Sequence, residues 1–289
     1  MDQTALILVQ ALNALALSAL LLFIALGLTL VFGIMRIVNF AHGAIYMLGA
    51  FAGASAGTLT GSFWLAIPAA AAAAGLLGWT FERLAFRPLY GREGTAFLLV
   101  TFGLALCLTE AIRLVWGADA RALDPPAILN GIVFLLDEPF PVYRLFLIGA
   151  GILASAGLWL LLHRTRLGLL IRAVSQNPGM AAALGVDVRL MRGAVFAIGC
   201  ALAGIGGVLA VPLLTAYIGM GAAVVIDAFV VVMIGGMGSF AGTIAGSALV
   251  GFTQTYGNFY LPEIALGVTY ALMIVVLLLR PGGLFGEEE

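Results

Sequence analysis

The sequence predicts an all-α fold: a polytopic membrane helix bundle of about eight spans, with a broken or re-entrant half-helix near 228–239. Three observations predict it. Of 289 residues, 63% are apolar and 9% charged, against roughly 25% charged in soluble domains. Mean hydropathy is +1.16. Apolar runs of spanning length, about 20 residues, recur along the whole chain. So much apolar surface cannot be hidden from water by a fold of this size, so the solvent must be mostly lipid. That excludes a soluble enzyme, a disordered tail and a disulfide-built secreted scaffold. Net charge is −1, with no basic block, so no nucleic-acid partner is expected.

Candidate spans run over 5–34, 38–60, 63–82, 95–116, 142–162, 193–214 and 264–280. The first is read as retained. Its apolar run, Ala5 to Met35 behind Asp2 alone, far exceeds the roughly 7–15 residues of a secretory signal core. Residues 228–262 carry no charge. As one helix they would reach about 52 Å, whereas the hydrocarbon core is about 30 Å thick. Gly235-Gly236-Met237-Gly238-Ser239 supplies the break, leaving a short segment, 228–236, and a longer one, 240–257. Irregular backbone at membrane depth is tolerated only where protein buries it or where it lines a cavity.

All 13 basic residues are arginine, and arginines in short loops mark the cytoplasmic side. Residues 83–92 hold Arg83, Arg87 and Arg92; 163–192 hold Arg164, Arg166, Arg172, Arg189 and Arg192 against Asp187. Both read as internal. Residues 117–141, with Asp119, Asp124, Asp137 and Glu138 against Arg121, read as external. The N-terminus is then outside. Arg280 favours an internal C-terminus, to which the tail Glu287-Glu288-Glu289 adds little. No internal repeat is visible, and 1–289 reads as one transmembrane domain.

Several residues stand out. Gly49, Gly53, Gly57 and Gly61 fall every four residues, as do Gly238, Gly242 and Gly246; that spacing lines one helix face and lets helices approach closely. Cys107 and Cys200 read as small packing residues. In the arginine-rich segment, Asn177 suits an N-cap, Pro178 the first helical position and Gly185 the left-handed position past the end. The helix between, with Ala181, Ala182 and Leu184, has barely two turns and needs a surface to dock on. Asn39 is placed to cap the second span, and His42 to bond a neighbouring helix or a lipid headgroup. Glu110 and Arg113 are spaced as an intrahelical ion pair. Asp227 reads as the N-cap of 228–236, facing outward; broken helices point such ends at solutes in some transporters. Asn39, His42, Asp227, Gly235, Gly236 and Gly238 are therefore the candidate translocation path or gate.

The absences are informative. Without lysine the chain cannot form GxxxxGK[ST], so it has no standard ATP-binding loop. No nucleophile elbow, metal-ligand spacing or dinucleotide turn is present. No catalytic residue, metal or cofactor is expected, and any energy comes from a partner.

Four stretches carry a resemblance. Gly27-Leu28-Thr29-Leu30-Val31-Phe32-Gly33 through Asn39-Phe40-Ala41-His42-Gly43 resembles the first signature of branched-chain amino-acid ABC transporter permeases of the LivH type. Thr165-Arg166-Leu167-Gly168 through Ala182-Ala183-Leu184-Gly185 resembles their cytoplasmic loop. Val231 through Ser239, and Arg280-Pro281-Gly282-Gly283-Leu284-Phe285-Gly286, resemble their C-terminal signatures. The resemblance implies a bacterial inner-membrane importer. Its partners would be a second homologous permease, two cytoplasmic ATP-binding subunits and a periplasmic solute-binding protein. Residues 178–184 would be the helix coupling permease to ATPase. Related permeases carry urea, short amides and other amino acids, so the solute stays open. An ion-coupled secondary transporter would need buried ionisable sites, for which the spans offer Glu110 and Asp227. A non-transporting scaffold leaves the capped helix and the half-span unexplained.

Overall fold

The computed structural model describes residues 3–92 and 94–286; Asp2 and the tail Glu287, Glu288 and Glu289 lie outside the described residues. The chain runs α1 (Gln3–Met35), α2 (Ala41–Thr60), α3 (Phe63–Phe81), α4 (Gly94–Trp116), β1 (Ile132–Leu135), β2 (Glu138–Pro141), α5 (Val142–Arg164), α6 (Arg166–Gln176), α7 (Pro178–Ala183), α8 (Val188–Leu214), α9 (Met220–Gly235), α10 (Phe240–Tyr260) and α11 (Ala265–Leu279). A π-helical turn, Glu82–Phe86, and a 3₁₀ turn, Arg87–Leu89, extend α3. Among the described residues, five stretches are long and apolar enough to cross a membrane by length and composition: Gln3–Met35, Phe63–Leu89, Gly94–Trp116, Val142–Arg164 and Val188–Leu214. Helices α2 and α10, 20 and 21 residues long, have spanning length but carry many glycines and polar residues. Helices α9 and α11 are shorter, 16 and 15 residues.

Helices α1 and α8 form the central pair, 83% and 67% buried over their most apolar windows, whereas α3, α4 and α5 keep most of their apolar surface outward. That outward surface suits lipid, since lipid tails are as apolar as leucine. The contacts show an order that the sequence hides. Gly27 of α1 meets Gly199 of α8, and Gly43 of α2 meets Gly221 of α9. Helix α3 packs on α8 through Ala70 and Ala74 against Gly204; correspondingly α10 packs on α1 through Gly251 against Ser18. Exchanging α1 with α8, α2 with α9 and α3 with α10 preserves this pattern. Since α1 and α8 run in opposite directions, the arrangement is an inverted repeat, of the kind found in many transporters. It was not visible in the sequence because shared backbone geometry, not shared residues, carries it.

The repeat also relocates the discontinuities. After Met35 the chain reverses through Arg36, at φ 51°, and α2 begins beside Gly27 of α1. Gly27 lies eight residues before Met35, so α2 starts about 12 Å deep along α1. Helix α9 likewise starts inside the bundle, at Gly219 with φ 104°, with Gly221 against Gly43. A Cβ at Gly43 or Gly221 would strike the facing backbone, so this crossing requires glycine on both helices. The short helix expected near 228–236 is present but begins at Met220, and its 16 residues span about 24 Å. The break at Gly236–Gly238 is the turn into α10, with φ 101° and 84° at the two glycines.

The two ends of the bundle agree with the charge reading. Arg87 reaches the Arg189 carbonyl, and Ser175 reaches the Gly33 carbonyl, so 83–92 and 163–192 share one end. The C-terminal segment lies at that end too: the Leu284 and Phe285 amides donate to the carbonyls of Ile234 and Gly235 at 2.9 and 3.0 Å. At the opposite end Trp116 Nε1 donates to Ser55 Oγ, Arg121 bridges Ala216, Tyr256 donates to the Ile7 carbonyl and Arg144 to Asn13. A single cysteine at Asp187, with Cys107 and Cys200 replaced, should react with an impermeant thiol reagent from the inner side only. Labelling from outside would invert the topology.

Local expectations divide. Gly49, Gly53 and Gly57 do face close neighbours, but Gly61 is the αL C-cap of α2 with open space around it. Gly242 and Gly246 pack on α9, whereas Gly238 is a turn residue at Gly33. Cys200 packs against Gly78, while Cys107 is exposed. Glu110 and Arg113 pair at 3.1 Å on an exposed face. The connection 117–141 contains the two-stranded β1–β2 hairpin, which the helical reading did not anticipate.

Candidate coupling site

Helix α7 stands at the arginine-rich end, and the sequence writes both of its stops. Asn177 is extended, and its Oδ1 accepts the Met180 amide at 2.9 Å. Pro178 follows at the first position, where the missing amide costs nothing. At the far end Gly185 adopts φ 87°. Its amide donates to the Ala182 carbonyl, and the Val186 amide to the Ala181 carbonyl, both at 3.0 Å. Those paired bonds are a Schellman stop. Six residues cannot hold a helix unaided; the caps and a dock hold this one. The dock is its own bundle: Ala181 is buried in a cluster with Ile171, Val174, Met191 and Val195.

The short side chains of Ala181, Ala182 and Ala183 therefore do not form one outward face. Ala181 points in, Ala182 and Ala183 are exposed, and the outward apolar bulk comes from Met180 and Leu184, 60% and 78% exposed. A rigid helix presenting a large side chain at each end, with small ones between, is suited to a groove in another protein.

Behind α7 lies a polar cluster that sequence reasoning missed. Glu82, in the π-turn, is fully buried. Its carboxylate accepts Arg87 Nε at 3.0 Å and the Tyr90 hydroxyl at 2.9 Å. Arg87 also donates to the Arg189 carbonyl at 3.5 Å, and the Arg192 guanidinium lies 4.4 Å above the Tyr90 ring. Burial, and then the Glu82 carboxylate, hold the Tyr90 hydroxyl well above its usual range. The cluster ties the α3–α4 connection to the first turn of α8, which follows α7 directly. The available signal was one carboxylate at the end of an apolar run. That pattern usually means a solvated interface charge, and the π-turn that draws it inward has no sequence mark.

The other candidates sit elsewhere. Asn39 and His42 are fully buried at the start of α2. Asn39 Oδ1 accepts the Ala41 amide at 3.1 Å, close to the capping role expected. Its Nδ2 and both His42 ring nitrogens lack a well-formed hydrogen bond among the described residues. Burial inside the protein rules out the lipid-headgroup contact expected of His42. Asp227 is not an N-cap: it lies within α9 and accepts Gln254 Nε2 of α10 at 3.0 Å. The cap fails because the helix starts eight residues earlier, at Gly219. Gly235 meets Gly242, and Gly236 meets Gly283 and Gly286, so the two C-terminal signatures dock on each other.

Residues 10–277 match the family described as branched-chain amino acid transport system / permease component. The chain belongs to this family. The high-affinity branched-chain amino acid transport system permease protein LivH of Escherichia coli K12 is 30% identical, over 97% of this chain and 96% of that one. BraD of Pseudomonas aeruginosa, of the same description, is 31% identical over the same shares. A probable LivH of Methanocaldococcus jannaschii is 28% identical over 96% of this chain and 91% of that one. Among solved structures, "PsaBC from Streptococcus pneumoniae in complex with Fab" superposes with TM-score 0.49 at 13% identity, covering 94% and 92% of the two chains, a likeness too loose to argue from. This ABC permease chain is a multi-pass membrane protein whose relatives are transport permeases, not enzymes.

Proposed function

We propose that the whole chain is one permease domain that passes branched-chain or related amino acids inward across a bacterial inner membrane. It pairs with a second homologous permease. Two cytoplasmic ATP-binding subunits drive the pair, and a periplasmic binding protein delivers the solute. The solute class comes from the relatives' names. The observation that supports the driven mechanism is α7: a doubly capped helix, seated on its own bundle, that leaves Met180 and Leu184 bare at the arginine-rich end. Bare apolar side chains on a rigid helix are what an ATPase groove would cover. Asn39, His42, Asp227, Gly235, Gly236 and Gly238 remain the candidate translocation path or gate: Asn39 and His42 lie where the discontinuous starts of α2 and α9 meet, Asp227 lies within α9, and the three glycines form its inner end and the turn into α10.

The test is reconstitution. The permease alone, without lysine for a phosphate loop, should show no ATPase activity. With ATPase subunits and loaded binding protein, proteoliposomes should hydrolyse ATP and accumulate leucine-like solutes. ATP hydrolysis by verified partner-free permease would overturn the reading.

A further inference from the structure

At the arginine-rich end, α1, α5, α6 and α10 line an open cavity of about 120 Å³. Its walls are apolar, from Leu30, Leu158, Leu162, Ile171 and Phe240, and Arg172 stands among them. Arg172 is half-buried and makes no ion pair or side-chain hydrogen bond among the described residues. Arginine keeps its charge under all ordinary conditions, so a half-buried guanidinium beside an apolar hole calls for an anion with an apolar tail. The frame is rigid: Ser175 Oγ of α6 donates to the Gly33 carbonyl of α1 at 2.6 Å. Helix α6 turns Ile171 and Val174 into the protein and leaves Arg166 exposed, as a helix lying in a membrane interface does. It joins the inner end of α5 to α7, outside the candidate spans.

We propose that this cavity is a binding site for one anionic phospholipid of the inner leaflet, with a few methylenes of an acyl chain among the leucines, the rest of the chain in the bilayer, and the phosphate on Arg172. Charge complementarity selects this occupant over an apolar segment of another protein, which would leave Arg172 unpaired. Basic pockets between spans on the cytoplasmic side commonly take such headgroups. The inference does not depend on which solute is carried, and its test reads lipid rather than uptake.

The purified full-length permease would be titrated with phosphatidylglycerol and with phosphatidylcholine, and bound lipid counted by native mass spectrometry. Wild type should hold one phosphatidylglycerol in preference to phosphatidylcholine. Arg172→Gln should weaken phosphatidylglycerol about fivefold, the effect of one basic residue at an anionic membrane surface, and leave phosphatidylcholine unchanged. Gly33→Leu keeps the charge and fills the cavity; a Cβ there has ordinary contacts, 3.8 Å from Gly238, so the fold should tolerate it. It should lose the bound lipid. Equal binding of both lipids overturns the proposal, as does unchanged phosphatidylglycerol binding in either variant. Displacement of the lipid by glycerol phosphate or inorganic phosphate would show a free-anion site and overturn it too.

Discussion

Leu184→Arg and Ala182→Arg should each cut solute uptake by tenfold or more while leaving the permease folded and inserted. Both positions are exposed at the end of the bundle, and Leu184 is 78% exposed, so neither change removes a contact of the free chain. Surface changes of that kind usually move stability by less than about 0.5 kcal/mol. In a complex with the ATPase the same positions would be covered. An arginine there either clashes or carries its charge into an apolar groove. Anchor residues at the centre of an interface are worth about 2 kcal/mol or more when removed, a factor of roughly 30 in affinity. Stimulation of ATP hydrolysis by loaded binding protein should fall in parallel. Gly185→Val acts from the other side, by disturbing the helix itself. At φ 87° a β-branched residue is strained, the Schellman stop is lost and α7 frays, so uptake should fall without any change in the groove. Cysteines at Ala182 and in the ATPase groove should cross-link in the assembled wild-type background. Wild-type uptake in all three variants would make 177–185 an ordinary loop.

The contrast between α7 and the membrane interior shows what was legible. Helix α7 could be read to within one residue, because its stops are local. Asn177, Pro178 and Gly185 each act on backbone within four residues of themselves, and such rules do not depend on the rest of the fold. The spans were legible for a similar reason, since hydropathy needs only a run of residues. Asp227 failed because its role depends on where α9 begins. That point is set by Gly219 and by the meeting of Gly221 with Gly43 across 178 residues of sequence. The glycine ladders were half legible: spacing of four marks a face but does not say where the helix ends, and so Gly61 and Gly238 were assigned to packing. The β1–β2 hairpin turns at Leu136 and Asp137, both with positive φ, where Asn-Gly or Asp-Gly is the usual signal. The Glu82 cluster was least legible of all, because Glu82, Arg87 and Tyr90 meet only through the unmarked π-turn, and Arg189 and Arg192 join them only when the α3–α4 connection folds against α8.

Glu82→Ala is expected to destabilise the permease and to uncouple it, and Glu82→Gln should separate the two effects. The carboxylate is fully buried and serves Arg87 and Tyr90 together. Removing it leaves a partly buried guanidinium and a partly buried hydroxyl unpaired. Breaking a buried pair from one side costs about 3–5 kcal/mol; Arg87, 27% exposed at its side chain, can recover some hydration, so the low end, about 3 kcal/mol, applies. The thermal midpoint of the alanine variant should drop by several degrees. Glutamine keeps the shape and one acceptor, so Tyr90 keeps a partner while the ion pair with Arg87 goes. Its stability should fall by about 1–2 kcal/mol. The functional loss is expected to be larger than that. Arg87 then has no anchor for its reach to the Arg189 carbonyl, and the first turn of α8 is freed from the α3–α4 connection. Because α7 is joined to that turn through Val186 and Asp187, motion of the ATPase groove would bend the joint instead of moving the bundle. The signature is a split: basal ATP hydrolysis of the assembled complex unchanged or raised, and solute moved per ATP reduced severalfold. Tyr90→Phe removes only the hydroxyl bond and keeps the ring under Arg192; it should lie between wild type and Glu82→Gln on both measures. If Glu82→Gln and Tyr90→Phe transport as many solute molecules per ATP as wild type, the cluster only supports the fold, and the brace between α3 and α8 plays no part in coupling.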